Sequence, residues 1–258
     1  PLALFLIIIW GLKKFNIKNH LAILCATAAI IIPNFSSLIP YFEKDGFLWT
    51  GTTGDPLLFS RTPHPQISTI FLFVSIFLTA LVITKPKKNL VYLWSVILGI
   101  SIYSSLFVSS TIYLAIILLS PILVKKIDKK LLLSAFLIVF LLILPWIINA
   151  VQFQNFIKDS DFFTRITYGK DLLFPRQIRY VAITLLFLRF YKNSLALVIL
   201  VFALSAGLLM DGHQLLLGRS LDADHWITRV IAPVATLSLT LIIGYVFIKL
   251  IPRHSRLA

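Results

Sequence analysis

From Leu131 to Ala150 the chain runs twenty residues without a charged side chain, and no other feature limits its fold as tightly. As a helix that run rises about 30 Å, the thickness of a bilayer's hydrocarbon core. Further apolar runs recur at Leu21 to Ile39, Ile67 to Thr84, Leu90 to Phe107, Thr111 to Val124, Ile178 to Leu188, Leu195 to Met210 and Val230 to Ile251. A shorter one, Pro1 to Gly11, opens the sequence without a basic region or a small-residue cleavage site, so a signal peptide is not expected. The expectation is a first span cut short in a fragment whose N-terminal part is missing. Lipid offers backbone groups no water to bond, so unbroken apolar runs of this length must be helices. A composition that is 59% hydrophobic and only 13% charged excludes an ordinary soluble domain. The expected fold is all-α: one polytopic membrane bundle over 1–258, with about eight or nine transmembrane helices and long extracytoplasmic loops.

The net charge of +14 acquires meaning from its distribution. Leu90 to Val124 is either one long tilted helix or two short helices folded at the polar patch Ser104, Ser105, Ser109, Ser110 and Thr111. A hairpin there gathers Lys13, Lys14, Lys18, Lys85, Lys87, Lys88, Lys125, Lys126, Lys129, Lys130, Arg189, Lys192, Lys249, Arg253 and Arg256 on one face. These are fifteen of the 24 basic residues, and Asp128 is the single acidic one beside them. The long loops Pro40 to Gln66, Val151 to Gln177 and Asp211 to Arg229 then share the other face, where the remaining nine basic residues meet nine acidic ones. Without the hairpin this segregation collapses. Positive loops stay cytoplasmic, which puts the C-terminus in the cytoplasm of a multi-pass cell-membrane protein. The basic excess is thus a topology signal directed at membrane lipids, and nucleic acid is not an expected partner.

Several chemistries are disfavoured at once. Cys25 is the sole cysteine, which rules out an intrachain disulfide. There is no P-loop, nucleophile elbow, HExxH or CxxC. The spans carry almost no ionisable residue, against the habit of ion-coupled transporters. A carrier of neutral solutes or lipids, and a non-catalytic scaffold of envelope polymer assembly, both remain compatible.

The outer loops hold the polar chemistry. Between Asp211 and Pro233 stand three aspartates, two histidines and two arginines. Asp211 and Gly212 are expected to close one helix, with Gly212 as a left-handed cap. Asp222 has the place of an N-cap for the next, and Leu221 and Trp226 that of a hydrophobic staple. On that register His225 and Arg229 are four apart and share a face. The same residues also suit chemistry: Asp211, His213 and His225 as acid, base or ligand groups, and Arg219 and Arg229 as phosphate grips. Asp222-Ala-Asp224 has the spacing at which two carboxylates share a divalent ion, magnesium or manganese, with a diphosphate. The alternative is structural, with Asp222 capping, Trp226 anchoring at the interface and Arg229 bonding lipid phosphate.

A second group, Arg61-Thr-Pro-His64-Pro-Gln66, precedes a span, with Pro63 and Pro65 stiffening the approach. Arg61 and His64 there suit either a lipid contact or a bidentate grip on phosphate. A third, Asp159 to Asp171, reads as a solvated or amphipathic loop.

Many short spans, long outer loops, Arg61-Thr-Pro-His-Pro-Gln66 and Asp211-Gly-His-Gln-Leu-Leu-Leu-Gly-Arg-Ser-Leu-Asp-Ala-Asp-His-Trp226 together resemble bacterial and archaeal membrane proteins related to the GT-C glycosyltransferases. The resemblance implies transfer of a sugar from a polyprenyl-phosphate donor on the extracytoplasmic side, with polyprenyl-linked sugar as partner. It also implies Arg61 and Arg229 at the phosphate, with Asp211, His213 and His225 around the sugar or acceptor. The family's usual catalytic carboxylate lies in its first outer loop, and no residue here matches that position.

Overall fold

The computed structural model describes residues 2–35, 64–157, 175–217 and 226–250, and no strand occurs among them. The helices are α1 (Leu2–Lys14), α2 (Asn19–Phe35), α3 (His64–Thr84), α4 (Lys88–Ser101), α5 (Leu106–Lys126), α6 (Lys129–Ile157), α7 (Pro175–Phe190), α8 (Ser194–Leu217) and α9 (Ala232–Leu250). A π-helical turn over Ile227–Ile231 leads into α9. Among the described residues, four stretches can cross a membrane by length and composition: Ile67–Thr84, Leu106–Lys126, Lys129–Val151 and Arg229–Val246. The other apolar helices, such as Lys88–Ser101 and Ser194–Met210, are shorter.

Helix α3 is the axis of the bundle, touching α1, α4, α5, α8 and the π turn. Its sequence explains the placement. Leu72, Phe73, Ile76, Phe77, Leu78, Ala80 and Val82 cover most of the circumference of the helix and are all buried, as expected of a helix apolar nearly all round. Three glycines permit close approaches between helices. A Cβ at Gly11 would clash with the ring of Phe77, one at Gly244 with the Leu21 side chain, and one at Gly99 would stand 2.6 Å from Leu142 Cβ. So α1 meets α3, and α4 meets α6, at van der Waals contact with backbone.

Several buried hydroxyls are satisfied locally. Ser101 donates to the Leu98 carbonyl (2.6 Å), Ser109 to Ser105 (2.8 Å), Ser205 to Val201 (2.7 Å) and Ser238 to Val234 (2.9 Å). Back-bonding of this kind lets Ser and Thr sit inside an apolar helix without a partner on another element. Trp94 does cross between helices: its Nε1–H donates to Thr79 Oγ1 at 2.9 Å, joining α4 to α3 in the core.

Helix α6 lies at the edge. It packs chiefly against α4, and only 11% of its most apolar stretch is buried. Leu133, Leu137, Phe140, Leu141 and Val151 each expose more than half of their surface. A helix this apolar and this bare is stable where its surroundings are hydrocarbon.

The helix break at Ile102 to Ser105 is the turn that a hairpin within Leu90 to Val124 requires. Tyr113 on α5 donates to the Leu98 carbonyl on α4 (2.8 Å), and Tyr103 at the turn donates to Leu142 on α6 (2.8 Å). At the far end of α5, Lys126 joins Lys14, Lys85 and Asn193 around one cavity, so four connectors gather there.

Candidate site at the Arg229 end

Pro233 shapes the local backbone first. Its missing N–H deprives the Arg229 carbonyl of its ordinary i+4 donor, and its ring crowds that carbonyl. The helix widens at this place, into the π turn Ile227–Ile231. That turn meets α3, α5, α7, α8 and α9, and Val230 and Ile231 within it are fully buried. Arg229 therefore leaves the backbone at a five-helix junction.

Arg229 as a residue is partly buried. Nη1 donates to Ser105 Oγ at 3.3 Å, a long contact, and the guanidinium carbon stands 5.5 Å from the centroid of the Phe107 ring. That is cation–π distance. The other side of the arrangement is Trp226, buried to 2% exposure, whose ring meets Phe107 edge-on with centroids 4.7 Å apart. Ser105 and Phe107 flank the first residue of α5 while Trp226 and Arg229 lie before α9. The site thus ties the serine-rich turn to the polar loop that precedes the last helix. Such a seat places a cation at one end of an apolar bundle, and a guanidinium can engage an anionic oxygen pair through two parallel N–H donors.

The other expected residues fall as follows. His64 is the first residue of α3, with Pro65 in the first turn where a proline costs no hydrogen bond; its side chain is not among those described. Asp211 and His213 lie within α8, again with side chains not described. Arg61, Arg219, Asp222, Asp224 and His225 lie outside the described residues, as does Asp159 to Asp171. Among the described residues no group of three His, Cys, Asp or Glu side chains gathers.

One expectation needs correction. Gly212 does not end a helix: α8 continues through it to Leu217, and nothing lies within 4 Å of where its Cβ would be. A helix whose next residues include Leu215-Leu-Leu217 gains by continuing. The face expected to be shared by His225 and Arg229 lies outside the described residues on its His225 side, while Arg229 itself sits in the π turn Ile227–Ile231. Conversely, Ser105 and Phe107 were not singled out for this site. Only the unusual density of hydroxyls at 104–111 marked the region, and nothing local tied it to a residue 124 positions away.

Fold and site together define a helical protein with membrane-length apolar helices and an arginine seated at one end of the bundle. No protein-family model, curated protein or solved structure matches the chain.

Proposed function

We propose that the chain is an integral membrane protein of eight or nine spans in the cell membrane. Its lysine-rich end, with the C-terminus, faces the cytoplasm, and its Arg229 end handles a polyprenyl phosphate. The observation that carries this is the seat of Arg229: a partly buried arginine whose guanidinium stands against Phe107 and Ser105, at a junction of five helices. It lies at the opposite end of α5 from Lys126, about 30 Å away for a helix of 21 residues. A polyprenyl chain suits hydrocarbon beside the bundle, and its phosphate then meets a cation held at the rim. The resemblance of Arg61 to Gln66 and Asp211 to Trp226 to GT-C enzymes supports sugar transfer as the reaction.

In that reaction an acceptor hydroxyl attacks the anomeric carbon, and the bond from that carbon to the phosphate oxygen breaks. Polyprenyl phosphate leaves with the electron pair. Asp211, His213 or His225 takes the hydroxyl proton, while Arg61, His64, Arg219 and Arg229 bind the phosphate as its charge grows.

The test uses full-length protein in proteoliposomes with a panel of polyprenyl-phosphate sugars, reading release of polyprenyl phosphate. Arg229→Ala should lower turnover about ten- to hundredfold, the usual weight of a hydrogen bond to a charged group, with insertion unchanged. Arg229→Lys should recover only part, since a point charge lacks the planar fork. Full turnover in Arg229→Ala would overturn the role of Arg229. A wild-type protein that releases polyprenyl phosphate from no donor would overturn sugar transfer and favour a carrier or scaffold.

A further inference from the structure

The end of the bundle away from Arg229 holds a cavity of about 680 Å³ with a distinct chemistry. Three lysines from three separate connectors line it: Lys14 at the end of α1, Lys85 after α3 and Lys126 at the end of α5. Thr84, Asn193 and Ser194 add polar groups, and no acidic residue is among its described lining.

Each wall has a local cause. Asn16, with φ 60°, ends α1 in a Schellman turn: Ile17 N–H donates to Leu12 O (3.2 Å) and Asn16 N–H to Lys13 O (3.1 Å). The chain stops sharply there and leaves Lys14 on the rim. The Thr84 and Ser194 hydroxyls bond each other at 2.5 Å across the α3–α8 corner. Asn193 Oδ1 accepts from Ala196 N–H at 2.9 Å, capping α8, so its amide nitrogen is the group it can offer a ligand. Asp128, the acidic residue of this end, is engaged elsewhere: its Oδ1 accepts from Lys130 N–H (2.9 Å) and Leu131 N–H (3.2 Å) at the start of α6. Tyr191, just before the corner, adds no negative charge. Burial, with Cys25 and Tyr245 nearby, pushes its phenol up to about 12.

Helix ends do not account for three cations here. The C-termini of α1, α3 and α5 supply about −0.5 each and the N-terminus of α8 about +0.5, a sum near −1 against three full positive charges. The excess is about two positive charges facing a hollow large enough for a ligand.

We propose that this cavity is a binding site for a phosphate group, held by the ammonium groups of Lys14, Lys85 and Lys126 with the Asn193 amide as a neutral donor. Two sources share that chemistry, the headgroup of an anionic phospholipid and a soluble phosphate ester. Phe15, Leu81 and Ile83 also line the cavity and suit the apolar part of a lipid. The site is independent of sugar transfer and of Arg229.

The experiment compares the full chain with Lys14→Gln/Lys85→Gln/Lys126→Gln. A control of equal charge change, Lys87→Gln/Lys129→Gln/Lys130→Gln, alters the same end outside the cavity. Binding is read by native mass spectrometry and by the shift in melting temperature, in neutral detergent, on adding phosphatidylglycerol or, in a separate arm, inorganic phosphate. The cavity variant should bind about a hundredfold more weakly, from the weight of three basic residues near an anionic surface, and lose the thermal shift. The control should lose less than threefold. Saturation by phosphatidylglycerol alone identifies a lipid headgroup, and saturation by inorganic phosphate identifies a soluble ester. Equal losses in the two variants, or an unaltered thermal shift in the cavity variant, would overturn the site. If the cavity variant does not fold, Lys85→Gln alone carries the same comparison, with a loss of about fivefold expected and none contradicting it.

Discussion

Replacing Gly99 by alanine tests the seam that holds α6 to the bundle. The new Cβ would stand 2.6 Å from Leu142 Cβ and 2.7 Å from its Cδ1, where carbon atoms rest at about 3.5–4.0 Å. The nearer atom is rooted on the backbone of α6 and cannot rotate away, so α4 and α6 must part by about 1 Å. Overpacking of this kind costs about 1–3 kcal/mol. Alanine's better helix propensity returns up to about 1 kcal/mol, leaving a net loss of roughly 1–2 kcal/mol. Helix α6 has little else to hold it, since its main neighbour is α4. In detergent the unfolding midpoint, followed by tryptophan fluorescence, should fall by about 2–8 °C, extrapolating from soluble chains of similar size. Leu142→Gly removes both contacted atoms, so in a double-mutant cycle Gly99→Ala should cost about 1–2 kcal/mol less on that background than on the wild type. A neutral Gly99→Ala, or an equal cost on the two backgrounds, would show that the two helices do not meet there.

Thr79→Val keeps the shape of a buried side chain but removes the acceptor of Trp94 Nε1–H, which should cost about 1–3 kcal/mol in the same melting assay; Thr79→Ser should cost less, and equal stabilities would refute the contact. At the Arg229 end, Phe107→Leu removes the ring beneath the guanidinium and the edge contact with Trp226. Polyprenyl phosphate release should fall severalfold with expression unchanged, and an unaltered rate would show that the ring does not position Arg229.

Much of the architecture was legible in the sequence because composition and charge act over whole segments. Leu131 to Ala150 declares a helix without help from its neighbours, and the lysine pattern selects the hairpin that breaks at Ile102 to Ser105. Contacts and local breaks were harder. The pairing of Ser105 with Arg229 spans 124 positions and leaves no local periodicity. Gly212 looked like a cap because glycine permits a left-handed turn, yet the apolar residues after it extend the helix. Pro233 marked an irregularity, but a proline alone does not say whether a helix will kink, stop or widen into a π turn. The lysines of the cavity were read as a topology signal, and their convergence depends on how α1, α3, α5 and α8 end together, which no single segment encodes.

The claim beneath both sites is that the ends of α5 lie on opposite faces of a membrane. Cys25 is buried and is the sole cysteine, so a Cys25→Ser background admits single reporter cysteines. With Lys85→Cys, Lys126→Cys and the exposed Tyr103→Cys placed one at a time, sealed vesicles treated with a membrane-impermeant maleimide give a direct answer. Lys85→Cys and Lys126→Cys should react from one side and Tyr103→Cys only from the other; labelling of all three from the same side would contradict the arrangement.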